Sequence, residues 1–313
     1  VLYMLEGIRT QPVTEIMSAA TYLGTQYVFM GVAILLLWCI DKRKAYFVFA
    51  VSLVGTVLNQ WLKLVFCIPR PWVLDPDFSI VESAREMATG YSFPSGHTQF
   101  AVGAFGAIAL ATRKRWVRIL CIVVILVVPF SRMYLGVHTP LDVGVAFVMA
   151  VALVFALWPC FRDDERFQAR IGYVLAGILV LTVAYAVWVQ VNAFPADVDA
   201  QNLAEGLKNG WVLLGCAAGL AVSYAVDAKY LHFQVEAPLL GQVCKMVVGL
   251  VLLLAIISGL KPVLAALTGG ALWASAIRYF LAVVFAGCIW PLTFPFFAKL
   301  GARKEKEKGA HAA

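Results

Sequence analysis

Several stretches of this chain run for roughly 20 residues with hardly a charge, and such a stretch has few ways to fold, because about 20 apolar residues in a helix cover the ~30 Å hydrocarbon core of a bilayer. They lie at 45–65, 118–133, 141–158, 171–191 and 243–260 and are filled with Leu, Val, Ala and Gly. They lack the alternation of polar and apolar residues that a strand of a membrane barrel requires. In lipid the backbone must satisfy its own hydrogen bonds, so the runs predict an all-α, polytopic transmembrane helical bundle. With 62% hydrophobic and 14% charged residues, a soluble domain is excluded. About nine spans are read, at 23–40, 44–66, 97–112, 116–133, 140–160, 170–191, 210–226, 240–259 and 275–298.

The formal net charge of +7 raises the question of nucleic acid, but the basic residues cluster in short loops between spans, so no nucleic-acid partner is expected. Of the 25 Lys and Arg residues, 17 fall on one side of the nine-span layout, in clusters around 42–44, 113–118, 162–170 and 299–308. Cytoplasmic loops carry the excess of Lys and Arg. That side is therefore read as cytoplasmic, with the N-terminus outside, the C-terminus inside and the protein in a plasma or inner membrane. Seven scattered cysteines show no metal-ligand spacing and read as small packing residues. No cleavable signal peptide is read in 1–22, which carries Glu6, Arg9 and Glu15 and lacks an apolar core.

Residues 1–22 read instead as an amphipathic segment on the outer face, interrupted at Pro12. The membrane core 23–160 carries every chemical motif, including a long outer loop at 71–93 with the character of a lid or selector. Residues 161–298 form additional C-terminal spans, joined by an acidic outer loop over 192–210. Residues 299–313 form a basic cytoplasmic tail. No internal repeat is found.

Three segments carry chemistry. In KLVFCIPRP, Lys63 and Arg70 stand seven apart at the outer end of a span, with Pro71 disfavouring helix at Arg70; they are either interface anchors or phosphate ligands, since a guanidinium fork suits two phosphate oxygens. In YSFPSGHTQF, Ser95 and Gly96 open a helix whose free N–H groups and positive dipole end favour an anion, and His97 in the first turn is placed to donate a proton. An ordinary helix cap beside an interface histidine is the other reading. In SRMYLGVHTPLD, Thr139 and Pro140 suit a helix start, and His138 and Asp142 lie four apart across it. A carboxylate on one imidazole nitrogen fixes the tautomer and frees the other as a nucleophile; the alternative is a structural His–Asp pair. Arg132 adds a further cation six residues upstream. The chain has four histidines, and of these only His97 and His138 lie in these segments, on the same predicted face.

Together, Lys63 through Arg70-Pro71, Pro94-Ser95-Gly96-His97, and Ser131-Arg132 with His138 and Asp142 resemble the complete three-part signature of the type 2 phosphatidic acid phosphatase superfamily (PAP2), over residues 63–142. The resemblance implies that His138 is the nucleophile, Asp142 its orienting partner and His97 the acid for the leaving oxygen. It further implies that Lys63, Arg70, Ser95, Gly96 and Arg132 hold the phosphoryl oxygens, with no metal and no cofactor. The departure lies in the count of spans: bacterial lipid members have about six. Nine with an outward N-terminus resembles the layout of glucose-6-phosphatase, while the extra spans could equally extend a lipid-facing groove or mediate homodimerisation. The expected function is a membrane phosphatase acting on lipid phosphates or polyprenyl diphosphates outside the cytoplasm through a phosphohistidine. A hydrolase of a soluble phosphate ester, a transphosphatase, and a non-catalytic phospholipid-binding transporter or scaffold are the alternatives.

Overall fold

The structure, a computed structural model, describes residues 1–195 and 198–300; the basic tail, apart from its first two residues, lies outside them. Every regular element among the described residues is helical. In chain order these are α1 (Leu2–Gly7), α2 (Gln11–Thr21), α3 (Gln26–Leu35), α4 (Lys42–Phe66), α5 (Pro71–Leu74), α6 (Gly96–Ala111), α7 (Arg115–Tyr134), α8 (Pro140–Phe161), α9 (Asp164–Val191), α10 (Ala200–Val226), α11 (Leu239–Thr268), α12 (Ala274–Val284) and α13 (Phe294–Lys299). Five of the long helices start where the sequence offers a side-chain acceptor for the orphan N–H groups of a first turn. Asp41 caps α4, Ser95 caps α6, Thr139 caps α8, Asp163 caps α9 and Asp199 caps α10.

Seven helices are long and apolar enough to cross a membrane, and the pair Gln11–Gly24 and Gln26–Ile40, bent by 53°, makes an eighth. The ninth expected span is α6. Its 16 residues reach only about 24 Å at 1.5 Å per residue, short of the ~30 Å apolar layer. The segment ahead of it compensates, because Ala88, Tyr91, Ser92, Phe93 and Ser95 are all buried, so α6 begins beneath a covering of its own loop. The largest departure from the expected boundaries is at α10. It was placed at 210–226 but starts at Ala200, so much of what reads as an acidic outer loop is helix.

Lipid tails are as apolar as leucine, so helices in a membrane associate through close backbone approach rather than through hydrophobic burial. The C-terminal helices do this at two glycines. A Cβ on Gly215 of α10 would stand 2.2 Å from the Ala276 carbonyl oxygen of α12, and one on Gly219 would stand 2.8 Å from Val283 Cβ. The apolar side chains that packing leaves over face outward, as with Val243, Val247 and Val251 at helical spacing along α11. The N-terminal core and the C-terminal helices share one hydrophobic cluster, in which fully buried Trp38 donates its indole N–H to Ala286 O at 2.8 Å.

Candidate active site

The four termini that matter lie together: α4 ends, α6 begins, α7 ends and α8 begins at one end of the bundle. The Ser95 N–H donates to Asp142 O at 3.1 Å, tying the start of α6 to the start of α8. Asn59 Nδ2 on α4 donates to Pro94 O at 3.3 Å, and Lys63, on the last turn of α4, donates to Tyr91 O. All eight residues singled out in the sequence are thereby carried into one region.

The α8 start is a capping box: Asp142 N–H donates to Thr139 Oγ1 at 3.2 Å, and Thr139 N–H returns to Asp142 Oδ2 at 2.7 Å. This reciprocal bond fixes the carboxylate. Asp142 Oδ2 also lies 3.5 Å from His138 Nδ1. On the other edge of the ring, Arg70 Nη1 stands 2.9 Å from His138 Nε2. A guanidinium only donates, so Nε2 presents its lone pair and Nδ1 carries the proton, facing Asp142. That tautomer leaves the lone pair on Nε2.

Sequence reasoning did not find Ser92. Its hydroxyl donates to Asp142 Oδ2 at 2.6 Å and lies 3.5 Å from His138 Nδ1, so it completes a buried triangle with the carboxylate and the imidazole. Its only sequence signal is a hydroxyl residue two positions before Pro94. Ser92→Ala removes a hydrogen bond to a buried carboxylate, worth about 2 kcal/mol, and should lower kcat by up to roughly 30-fold with KM little changed. Steady-state kinetics of the purified variant checks this, and an unchanged kcat removes Ser92 from the positioning of His138.

Arg70 is buried, with Nε donating to Gly90 O at 3.0 Å, Nη1 to Val137 O at 3.0 Å and Nη2 to Thr89 O at 2.6 Å. Arg132 is fully buried and has one protein partner, Thr21 Oγ1 of α2 at 2.8 Å from Nη1; its Nε and Nη2 have none among the described residues. His97 Nε2 is likewise buried without a partner among the described residues. The bend between α2 and α3 leans on this histidine, since a Cβ on Gly24 would lie 2.9 Å from His97 O. The N-terminal residues 1–10 lie across the loop 71–90 and the end of α7. Tyr3 donates to Asp75 at 2.6 Å, and Arg9 donates to Tyr134 O at 2.9 Å and Ser79 O at 2.8 Å.

Three cationic side chains, Lys63, Arg70 and Arg132, are buried in this region against one buried carboxylate, Asp142. Burying an ion costs roughly several kcal/mol even after relaxation, so an uncompensated excess of positive charge marks a place built for an anion. Gly96 points the same way. A Cβ there would meet only Asn59 Oδ1, at 4.0 Å, so the protein's own packing does not account for the bare backbone.

Burial, and then the charges of Arg70, Arg132 and Lys63, hold the imidazole of His138, in the turn between α7 and α8, well below its ordinary value. A lowered value means that the ring takes up a proton only at a more acid pH than an ordinary histidine does. Histidine ¹³C NMR of the detergent-solubilised protein, with His138→Gln to assign the resonance, should show His138 titrating with a midpoint below that of an ordinary histidine. A midpoint at or above the ordinary value overturns this.

The chain matches the family model described as PAP2 superfamily over residues 43–166 and the one described as PAP2 superfamily phosphatase, transmembrane extension, over residues 211–304. It is 36% identical over 123 residues to an undecaprenyl-diphosphatase of Sulfolobus acidocaldarius, a match covering 38% of this chain and 57% of the relative. It is 28% identical over 157 residues to undecaprenyl-diphosphatase BcrC of Bacillus subtilis, covering 48% and 77%. With phosphatidylglycerophosphatase B of Escherichia coli it shares 32% over 166 residues, covering 39% and 65%. The chain thus spans less than two thirds of the archaeal and Escherichia coli relatives. No solved structure matches it.

Proposed function

The chain belongs to the PAP2 superfamily, and on that premise we propose that it is a membrane phosphatase that hydrolyses lipid phosphates or polyprenyl diphosphates outside the cytoplasm through a phosphohistidine. The buried excess of cations around a neutral, oriented imidazole carries this reading. A binding protein needs the cations alone. It has no use for an imidazole whose proton is held on Nδ1 toward Asp142 and whose lone pair is left on Nε2.

In the proposed reaction the phosphoryl group lies among Lys63, Arg70 and Arg132 and the N–H groups at the start of α6, with Ser95 capping that helix and Gly96 letting the oxygens approach. The helix leaves its first N–H groups without intrahelical partners. His138 Nε2 attacks phosphorus. The bond to the leaving oxygen breaks as His97 delivers its proton, giving a phosphohistidine and a free alcohol or phosphate. Water then attacks, with His97 taking its proton, and releases inorganic phosphate. Developing imidazolium charge on His138 is stabilised by Asp142, and charge on the equatorial oxygens by the fixed cations. The outer location rests on the 17 to 8 division of Lys and Arg. The names of the relatives support the substrate class.

The test is phosphate release by the purified protein in detergent from polyprenyl diphosphate, phosphatidic acid, phosphatidylglycerol phosphate and glucose 6-phosphate, with His138→Ala as blank. Release from a lipid substrate that is lost in the blank is the expected result. Hydrolysis of the hexose phosphate alone, or of nothing, overturns the assignment.

A further inference from the structure

Arg70 and Arg132 belong to the same buried group of cations but are held in different ways. Arg70 has every guanidinium nitrogen on a backbone carbonyl, at Gly90, Val137 and Thr89, and these acceptors fix its plane. Arg132, fully buried near the end of α7, has one partner among the described residues, the Thr21 hydroxyl at 2.8 Å from Nη1. Its Nε and Nη2 are buried and have no partner among the described residues. Those two nitrogens form one edge of the planar group. Their parallel N–H bonds are the pair that grips two oxygens of one phosphate. The free edge of Arg132 is thus a complete fork, and the nitrogen off that edge is the one tied down.

Thr21 is the last residue of α2 and is itself fully buried. The start of α2 is kept against α7 by Tyr134, whose hydroxyl accepts from Thr10 N–H at 3.2 Å and lies 3.4 Å from Thr14 Oγ1. Just past Thr21 the chain bends at Gly24, where a Cβ would stand 2.7 Å from Val128 Cγ1 of α7 and 2.9 Å from His97 O of α6. The Thr21 hydroxyl is therefore fixed on both sides along the chain, against the two helices that carry Arg132 and His97. Thr21 lies outside both stretches that match the family models.

We propose that Thr21 is a positioning residue for phosphoryl transfer: its hydroxyl holds the guanidinium of Arg132 so that the Nε–Nη2 edge meets two oxygens of the transferring phosphoryl group. The proposal rests on the phosphatase reading. It makes the end of α2 part of the active site, although the residue touches no substrate atom. Arg132 has no second anchor among the described residues, so without the Thr21 acceptor its plane is free to turn. A misplacement of about 1 Å at a group that acts on the reacting atoms costs up to about a hundredfold in rate. Charge on the phosphoryl oxygens is largest in the transition state, so the loss falls on kcat.

The experiment measures kcat and KM of the full chain in detergent, with whichever of phosphatidic acid, phosphatidylglycerol phosphate and a polyprenyl diphosphate the parent turns over fastest. It compares the parent with Thr21→Val and Thr21→Ser, and repeats the comparison in an Arg132→Lys background. Valine keeps the shape of threonine and removes the acceptor. Thr21→Val should lower kcat and kcat/KM together by about 10- to 100-fold, and Thr21→Ser, which keeps the hydroxyl, should restore most of that loss. Arg132→Lys keeps the charge but has no planar edge to aim, so in that background Thr21→Val should cost little more. A loss through packing alone would be equal in both backgrounds. That equality, a failure of serine to rescue, or an undiminished kcat in Thr21→Val overturns the positioning role and leaves the phosphatase reading standing. A parent that turns over none of the three overturns that reading, and the proposal with it.

Discussion

His138→Ala is expected to lower kcat by about 10⁴-fold or more, the scale on which enzymes lose rate when a covalent nucleophile is removed, while the protein still binds its substrate. The two halves of this expectation come from different residues. Rate depends on Nε2, whose lone pair no other group near Arg70 can replace. Binding depends on Lys63, Arg70, Arg132 and the start of α6, all of which alanine leaves in place. Arg70 Nη1 even loses a partner at 2.9 Å, so a phosphate oxygen gains a donor. Rapid quench of the parent protein with ³²P-labelled substrate should trap label that is acid-labile and base-stable, and the variant should trap none. Turnover within tenfold of the parent, or base-stable label in the variant, would place the nucleophile elsewhere.

Much of the candidate site was legible because several of its residues stand at local structural signals. Ser95 and Thr139 are helix caps in sequence before they are anything else, and Pro140 stands at the first helical position as expected. A reader of caps thus locates the helix starts that hold His97, His138 and Asp142. Residues that act across elements give no such signal. Ser92 meets Asp142 across 50 positions, and Thr21 meets Arg132 across 111; nothing local in either neighbourhood announces the partner. The misplaced start of α10 has another cause. Hydropathy reads the span and stops where lipid stops, but a helix continues as far as its cap, and Asp199 Oδ1 accepting from Asn202 N–H at 2.8 Å sets that end. Asp199 followed by Leu203, Leu207 and Gly210 at helical spacing was the signal that could have revealed it. The first span illustrates the converse: Gly24 and Thr25 mark a bend of 53° that a hydropathy window averages away.

His97→Ala should produce a loss that depends on the leaving group. General-acid catalysis typically contributes about 10²- to 10⁴-fold, and its full value is felt only when the departing oxygen is too basic to leave unprotonated. For a lipid alcohol the expected fall in kcat is therefore about a thousandfold. For p-nitrophenyl phosphate, whose leaving phenolate needs no proton, it should be tenfold or less. The structure supports this division of labour because His97 Nε2 is buried with no partner among the described residues, held in place from behind by the close approach of Gly24 to its backbone, and so is free to meet a substrate atom. His138 in contrast has its ring orientation and tautomer set, by Arg70 on one edge and the Ser92–Asp142 pair on the other. A plot of log kcat against leaving-group pKa should be nearly flat for the parent protein and steep for His97→Ala. Equal slopes would show that His97 contributes position or charge but no proton, and the acid would then have to be sought elsewhere among the groups around the phosphate.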